Sequence, residues 1–195
     1  MSKRGIPAGA VVRGTDKGYV HGDIPLTPGQ QRPVEKFEEK YPYMRPRDAA
    51  TLILVRMKGR TPEVLMGCRA AKSAFMPNRY VFPGGRVDLA DAHIPVATPL
   101  DRHVKARLVK AASEQRARAL GVAAVRETFE ETGLVIGRAG SPATRVPASW
   151  QHYAAHGAVP DLSRFALLAR AITPPRRARR YDTRFFTADV SAIAH

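Results

Sequence analysis

The stretch VRETFEETG, residues 125–133, constrains the fold more than any other part of the chain. With a helical turn of roughly 100° per residue, Val122, Val125 and Phe129 fall in one narrow stripe that needs a core to face. Glu127, Glu130 and Glu131 share an arc of roughly 100° on the opposite side. An amphipathic helix over residues 114–132 is predicted, with Gly133 as its stop. Like charges spaced i,i+4, such as Glu127 and Glu131, cost roughly 0.2–0.5 kcal/mol on a helix. Within this helix, Arg126, four residues before Glu130, is the clear source of relief. Two readings of the patch stand. It is a solvated acidic face with one ion pair, or it is a site for a hard divalent cation such as Mg²⁺ or Mn²⁺, which take oxygen ligands and keep part of their water.

The rest of the chain supplies a setting for that helix. Ala50–Gly59, Glu63–Arg69 and Arg79–Gly85 read as strands, the first two joined as a hairpin across Lys58–Pro62. The third stops at Pro83-Gly84-Gly85, where the glycines allow a tight turn or a close backbone approach. Leu100, Val104, Leu108 and Ala111 recur at helical spacing, so residues 100–113 read as a second amphipathic helix. Its outer face carries Arg102, Lys105, Arg107 and Lys110. LVI at 134–136 reads as a strand and SWQHYAAHG at 149–157 as a short helix. FALLARAIT (165–173) and TRFFTADV (183–190) read as strands flanking the basic loop PPRRARRYD. Residues 1–46, rich in Pro, Gly and charge, read as a poorly ordered or wrapping arm ahead of a single domain over 47–195. A mixed sheet would continue with further strands or a covering helix beyond His195.

Composition narrows the class. The chain has 195 residues and a net charge of +15, enough length for one domain with a real core. The single cysteine, Cys68, excludes an internal disulfide and a four-cysteine zinc site; its place in an apolar strand suggests burial. No apolar run reaches the roughly 18 residues of a membrane span, and the N-terminus lacks a signal-peptide core. A cytoplasmic protein with no membrane partner is expected. The positive charge suits either a polyanionic partner or plain solubility.

FPGG followed by REtfEEtGL resembles the signature of the Nudix hydrolases, G-x5-E-x7-R-E-U-x-E-E-x-G-U, where U is a bulky aliphatic. Gly85 fits the first glycine and Asp91 stands in the slot for the first glutamate. Arg126, Glu127, Glu130, Glu131, Gly133 and Leu134 fit the second half, with Thr128 where an aliphatic is usual. Arg126 follows Asp91 by 35 positions instead of eight, so about 27 residues, roughly 92–118, are inserted between the halves. Together with FMPNRYVFPGGRVDLAD and RRYDTRFF, the insertion resembles the branch of the family that includes the mammalian peroxisomal coenzyme A diphosphatase.

The resemblance implies an α+β fold, an α/β/α sandwich with a mixed sheet between helices and a helical insertion inside the motif. It implies a Mg²⁺- or Mn²⁺-dependent diphosphatase acting on a small-molecule nucleotide diphosphate. Coenzyme A or acyl-coenzyme A is the leading substrate; ADP-ribose, a dinucleotide or a nucleoside triphosphate is the alternative. A non-catalytic nucleotide- or RNA-binding domain is a third reading, disfavoured because such a module has no need of all three glutamates. By residue match, Glu127, Glu130 and Glu131 hold metal, one of them serves as base, Arg126 orients a glutamate, and the Gly84–Gly85 turn presents a backbone carbonyl. Arg69, Gly85, Arg180 and Tyr181 are candidates for substrate contact, Arg180 and Tyr181 closing a cluster with Arg176, Arg177 and Arg179. His152 and His156 read as a helix surface, and Trp150, Phe185 and Phe186 as core. A homodimer stays open.

Overall fold

One long strand organises the molecule. β1 (Arg47–Lys58) carries the continuous apolar run and is lined on both edges. The structure, a computed structural model, describes residues 43–69, 78–141 and 145–194. All but the last four residues of the expected N-terminal arm lie outside that set. On one edge β1 pairs antiparallel with β5 (Gly84–Arg86) through Ala49–Thr51, and with β2 (Thr61–Val64) through Val55–Lys58. On the other edge it runs parallel to β9 (Tyr181–Asp189), which pairs antiparallel with β8 (Ala166–Ile172). The result is a mixed sheet with helices packed on it, an α+β fold. Two small pairs complete it: β3 (Gly67–Cys68) with β4 (Tyr80–Val81), and β6 (Gly137–Ala139) with β7 (Ala158–Pro160).

Strand side chains alternate between faces. Ala50, Leu52 and Leu54 on β1 therefore share a face with their neighbours Phe186 and Ala188 on β9, and all are buried. Between α1 (Arg102–Leu108) and α3 (Ala148–Ala154) in the chain lies α2 (Glu114–Thr132), which covers that face. Ser113 caps α2 by accepting the Arg116 N–H, and Gly133 ends it at φ 75° with its N–H on the Phe129 carbonyl. Burial on α2 goes well beyond the expected stripe. Ala117, Ala119, Leu120, Gly121, Val122, Ala123, Ala124 and Val125 are all buried, because the sheet lies on one side and the loops around α1 and α3 close over the other. Val122 and Val125 are fully buried and Phe129 is half-buried, edge-on to Tyr153 at 5.4 Å.

Several local expectations are corrected. The expected strand Glu63–Arg69 divides into β2 and β3. The helix expected over 100–113 is shorter: Asp101 caps it by accepting the His103 N–H at 2.7 Å, and it ends at Leu108 so that Ser113 can start α2. The strand expected at 134–136 is shifted, with β6 starting at Gly137 and Ile136 making a single bridge to Ile193. Cys68 is exposed, because β3 is an exposed ribbon. Among the described residues, no helix is long and apolar enough to cross a membrane.

Candidate active site

The site is built on Arg126, whose guanidinium is buried near the C-terminal half of α2. A buried cation is tolerated only when its donors are matched. Arg126 Nε and Nη2 donate to Asp91 Oδ1 and Oδ2 at 3.0 and 3.1 Å, a two-point pair. Nη2 also donates to the Arg86 carbonyl at 2.8 Å. Nη1 donates to Glu127 Oε1 at 2.9 Å and to Glu130 Oε2 at 3.2 Å. All three nitrogens are therefore in use. Asp91, 0% exposed, accepts further from Trp150 Nε1 at 3.1 Å and from the Asp88 N–H at 2.8 Å. It sits in a 3-10 turn, Leu89–His93, packed against α2. The chain thus leaves at Asp91, makes the inserted excursion, and returns so that Arg126 meets it again 35 residues later.

The three glutamates follow from that anchor. Glu127 is half-buried, and burial raises its carboxyl pKa, with Arg126 opposing. Glu131 Oε2 accepts the Gly84 N–H at 3.2 Å; burial raises its pKa as well, opposed by that N–H and by Arg69. Glu130 is exposed and held to Arg126 one helical turn away. Gly84 and Gly85 are not the turn that was expected. They form β5, paired with Thr51 and Ala50, and their value is space. A Cβ on Gly85 would land on the Glu127 carboxylate, 2.6 Å from Oε1, and one on Gly84 would come 2.6 Å from the Ala50 carbonyl oxygen. Gly84 turns its amide hydrogen toward the glutamates, at Glu131.

The structure thus brings Arg126, Glu127, Glu130, Glu131 and Gly85 together, with Arg69 close enough to Glu131 to act on its charge. It places Arg180 and Tyr181 elsewhere. Arg180, 7% exposed, donates to the carbonyls of Thr173, at 3.1 Å, and Met44, and its guanidinium lies 5.1 Å from the centre of the Tyr43 ring. Tyr181 opens β9 beside Arg47, and its N–H donates to Thr173 Oγ1. Both tie the β8–β9 loop to the start of β1, a role the basic run did not signal. His152 and His156 are exposed, and His156 packs edge-on against Phe129 at 5.3 Å. Phe186 is fully buried and Phe185 half-buried. One participant was missed as a site residue: Trp150, read only as core, donates to Asp91, whereas Asp91 itself was legible through its spacing from Gly85. Thr128 is buried without penalty because its hydroxyl donates to the Ala124 carbonyl at 2.7 Å.

The donor set is oxygen-only and clustered, which suits a hard cation. Glu130 and Glu131 raise the proton affinity of Glu127, and Glu130 raises that of Glu131, while Arg126 opposes at Glu127 and Arg69 at Glu131. As the side chains stand, no three His, Cys, Asp or Glu among the described residues converge closely enough to hold an ion.

No family model matches the chain. The chain is similar to the Caenorhabditis elegans protein named "Putative nudix hydrolase 7", 32% identical over 152 residues, with 72% of this chain and 43% of that protein covered. It therefore spans less than half the length of that relative. It is also similar to a solved NUDIX hydrolase from Alicyclobacillus acidocaldarius, with TM-score 0.56 and 30% identity, covering 74% of this chain and 70% of that one. With that identity carried over more than two thirds of a solved relative and joined to a shared fold, the chain belongs to the Nudix hydrolase family.

Proposed function

We propose that the protein is a divalent-cation-dependent diphosphatase that cleaves a nucleoside diphosphate linked to another moiety, with coenzyme A or an acyl-coenzyme A as the leading substrate. The observation that carries the proposal is the packing of Glu127 and Glu131 against Gly85 and Gly84, where burial raises both carboxyls. A purely structural acidic face gains nothing from glutamates held in this way. Glu127, Glu130 and Glu131 are the residues to hold Mg²⁺ or Mn²⁺, which when bound supplies charge neutralisation at the diphosphate oxygens. The chain's own groups do the rest. Arg126 holds Glu127 and Glu130 in one orientation by charge-assisted hydrogen bonds. Glu127, with its raised proton affinity, is suited to take the proton of an attacking water at its carboxylate. Gly85 leaves the space for that carboxylate, and Arg69 offers positive charge to a substrate phosphate. The coenzyme A assignment rests on the resemblance of the inserted motif.

Incubation of the purified protein with Mg²⁺ or Mn²⁺ and coenzyme A, ADP-ribose, NADH and capped RNA tests the activity and ranks the substrates. Turnover is expected, and Glu131→Gln lowers kcat by several orders of magnitude while leaving the fold intact. No cleavage of any diphosphate, or full activity in Glu131→Gln, defeats the assignment.

A further inference from the structure

A cavity of about 280 Å³ lies between α1 and the segment after it on one side and β8 and β9 on the other. It is walled by Leu108, Ala111, Leu167 and Ala169 and ringed by Arg107, Lys110, Arg170 and Arg184. Arg184 is the unusual member. It is 2% exposed, its Nη1 lies 2.6 Å from Asp182 Oδ1 and 3.7 Å from Asp48 Oδ1, and its Nη2 has no hydrogen-bond partner. Buried guanidinium donors without partners are rare in native structures and call for an explanation. The local acids are already taken. Asp182 accepts both Arg170 Nε and Nη2 at 2.8 Å, and Asp48 accepts Arg116 Nε and Nη2. Arg107 Nη1 reaches across the cavity mouth to the Leu167 carbonyl at 2.7 Å. Arg107, Lys110, Arg170 and Arg184 line the cavity, and Arg116 adjoins them through its pairs with Asp48 and Asp182, so five cations stand against two acids. The surplus is three positive charges around a partly apolar cavity.

We infer that this cavity is a second, anionic-ligand site that takes a phosphate group. A surplus of three matches a phosphate dianion better than a carboxylate, and forked guanidinium donors match its oxygens. Movement of the exposed Arg107 side chain gives the anion access to the covered wall formed by Arg184. The site is separate from the glutamates: Arg116 and Glu127 are eleven residues apart on α2, roughly 16 Å along its axis. Arg107, Leu108, Lys110 and Ala111 all belong to the insertion, which acquires a role through them: it supplies one wall of the phosphate site.

Equilibrium dialysis against labelled inorganic phosphate, AMP and acetate, with a chelator present and at physiological salt, tests the inference. Saturable binding of one phosphate per chain is expected in the native protein and in Glu131→Gln. In an Arg107→Ala/Lys110→Ala double variant, both of whose changes lie at exposed positions, affinity drops at least tenfold. Lys58→Ala, which removes an exposed charge elsewhere, leaves it unchanged. Tighter binding of AMP than of phosphate identifies a nucleotide as the source, and equal binding identifies free phosphate. Absence of saturable binding, equal binding of acetate, or undiminished binding by the double variant overturns the inference. Loss of binding in Glu131→Gln also overturns it, by placing the phosphate at the glutamates.

Discussion

Arg126 and Asp91 are the residues on which the geometry of the site turns. Replacing Asp91 by alanine leaves the Arg126 Nε and the Trp150 N–H without their shared acceptor in a place water does not reach. Breaking a buried ion pair from one side costs roughly 3–5 kcal/mol, so urea unfolding of Asp91→Ala is expected to show a loss of that size. A loss below about 1 kcal/mol would mean that the pair is effectively a surface one. Gly85→Ala separates space from stability. The added methyl occupies the position of the Glu127 carboxylate, and that half-buried side chain can swing aside. A large drop in kcat with little change in melting temperature is expected; equal activity would show that Glu127 need not sit there.

At the scale of elements, α2 is the part most fully specified by local sequence. Ser113, the alanine-rich run and Gly133 set both ends, and the bounds 114–132 follow from them. A Cβ at Gly133 would meet nothing within 4 Å, so its requirement is the positive φ alone. Gly133→Ala is expected to cost about 1 kcal/mol, read as a shift in urea midpoint, with the last turn of α2 and Glu131 loosened. The elements that sequence misjudged are those decided by distant partners. Gly84 and Gly85 look like a turn until Ala50 and Thr51 recruit them as a strand. Arg180 looks like a ligand residue because its partners, Met44 and Thr173, carry no pattern that announces them. Cys68 looks buried because apolar neighbours in the chain are no guide to a two-residue ribbon that projects from the sheet. By contrast Arg126, Glu127, Glu130 and Glu131 were legible as a group, since helical spacing alone puts them side by side.

For the molecule as a whole, the glutamates set stability against readiness for a cation. An acid whose folded-state pKa lies above its unfolded value, about 4.3 for glutamate, binds protons more tightly when folded. Stability then falls as pH rises through that interval, and the cost persists at neutral pH. Burial puts Glu131 in this class. Metal-free Glu131→Gln is therefore expected to unfold at higher urea than the native protein at pH 7. The advantage should vanish below about pH 4, where the carboxyl is protonated in both states. No advantage at pH 7 would show that the folded protein does not penalise the charge.

The central position of β1 carries a consequence for biosynthesis. Its parallel partner β9 lies far along the chain: Thr187, which bonds to the Ile53 carbonyl, comes 134 residues later. At roughly 5–20 residues per second of synthesis, β1 waits on the order of ten seconds or more on the ribosome before that edge can be filled. Through that interval TLILV is an unpaired apolar strand on a nascent chain, the form most prone to pair with a neighbour. The hairpin with β2, complete by Val64, covers only the C-terminal third of one edge. Production in cells should thus be limited by chaperone capacity during translation, and slower initiation or lower temperature should raise the soluble yield.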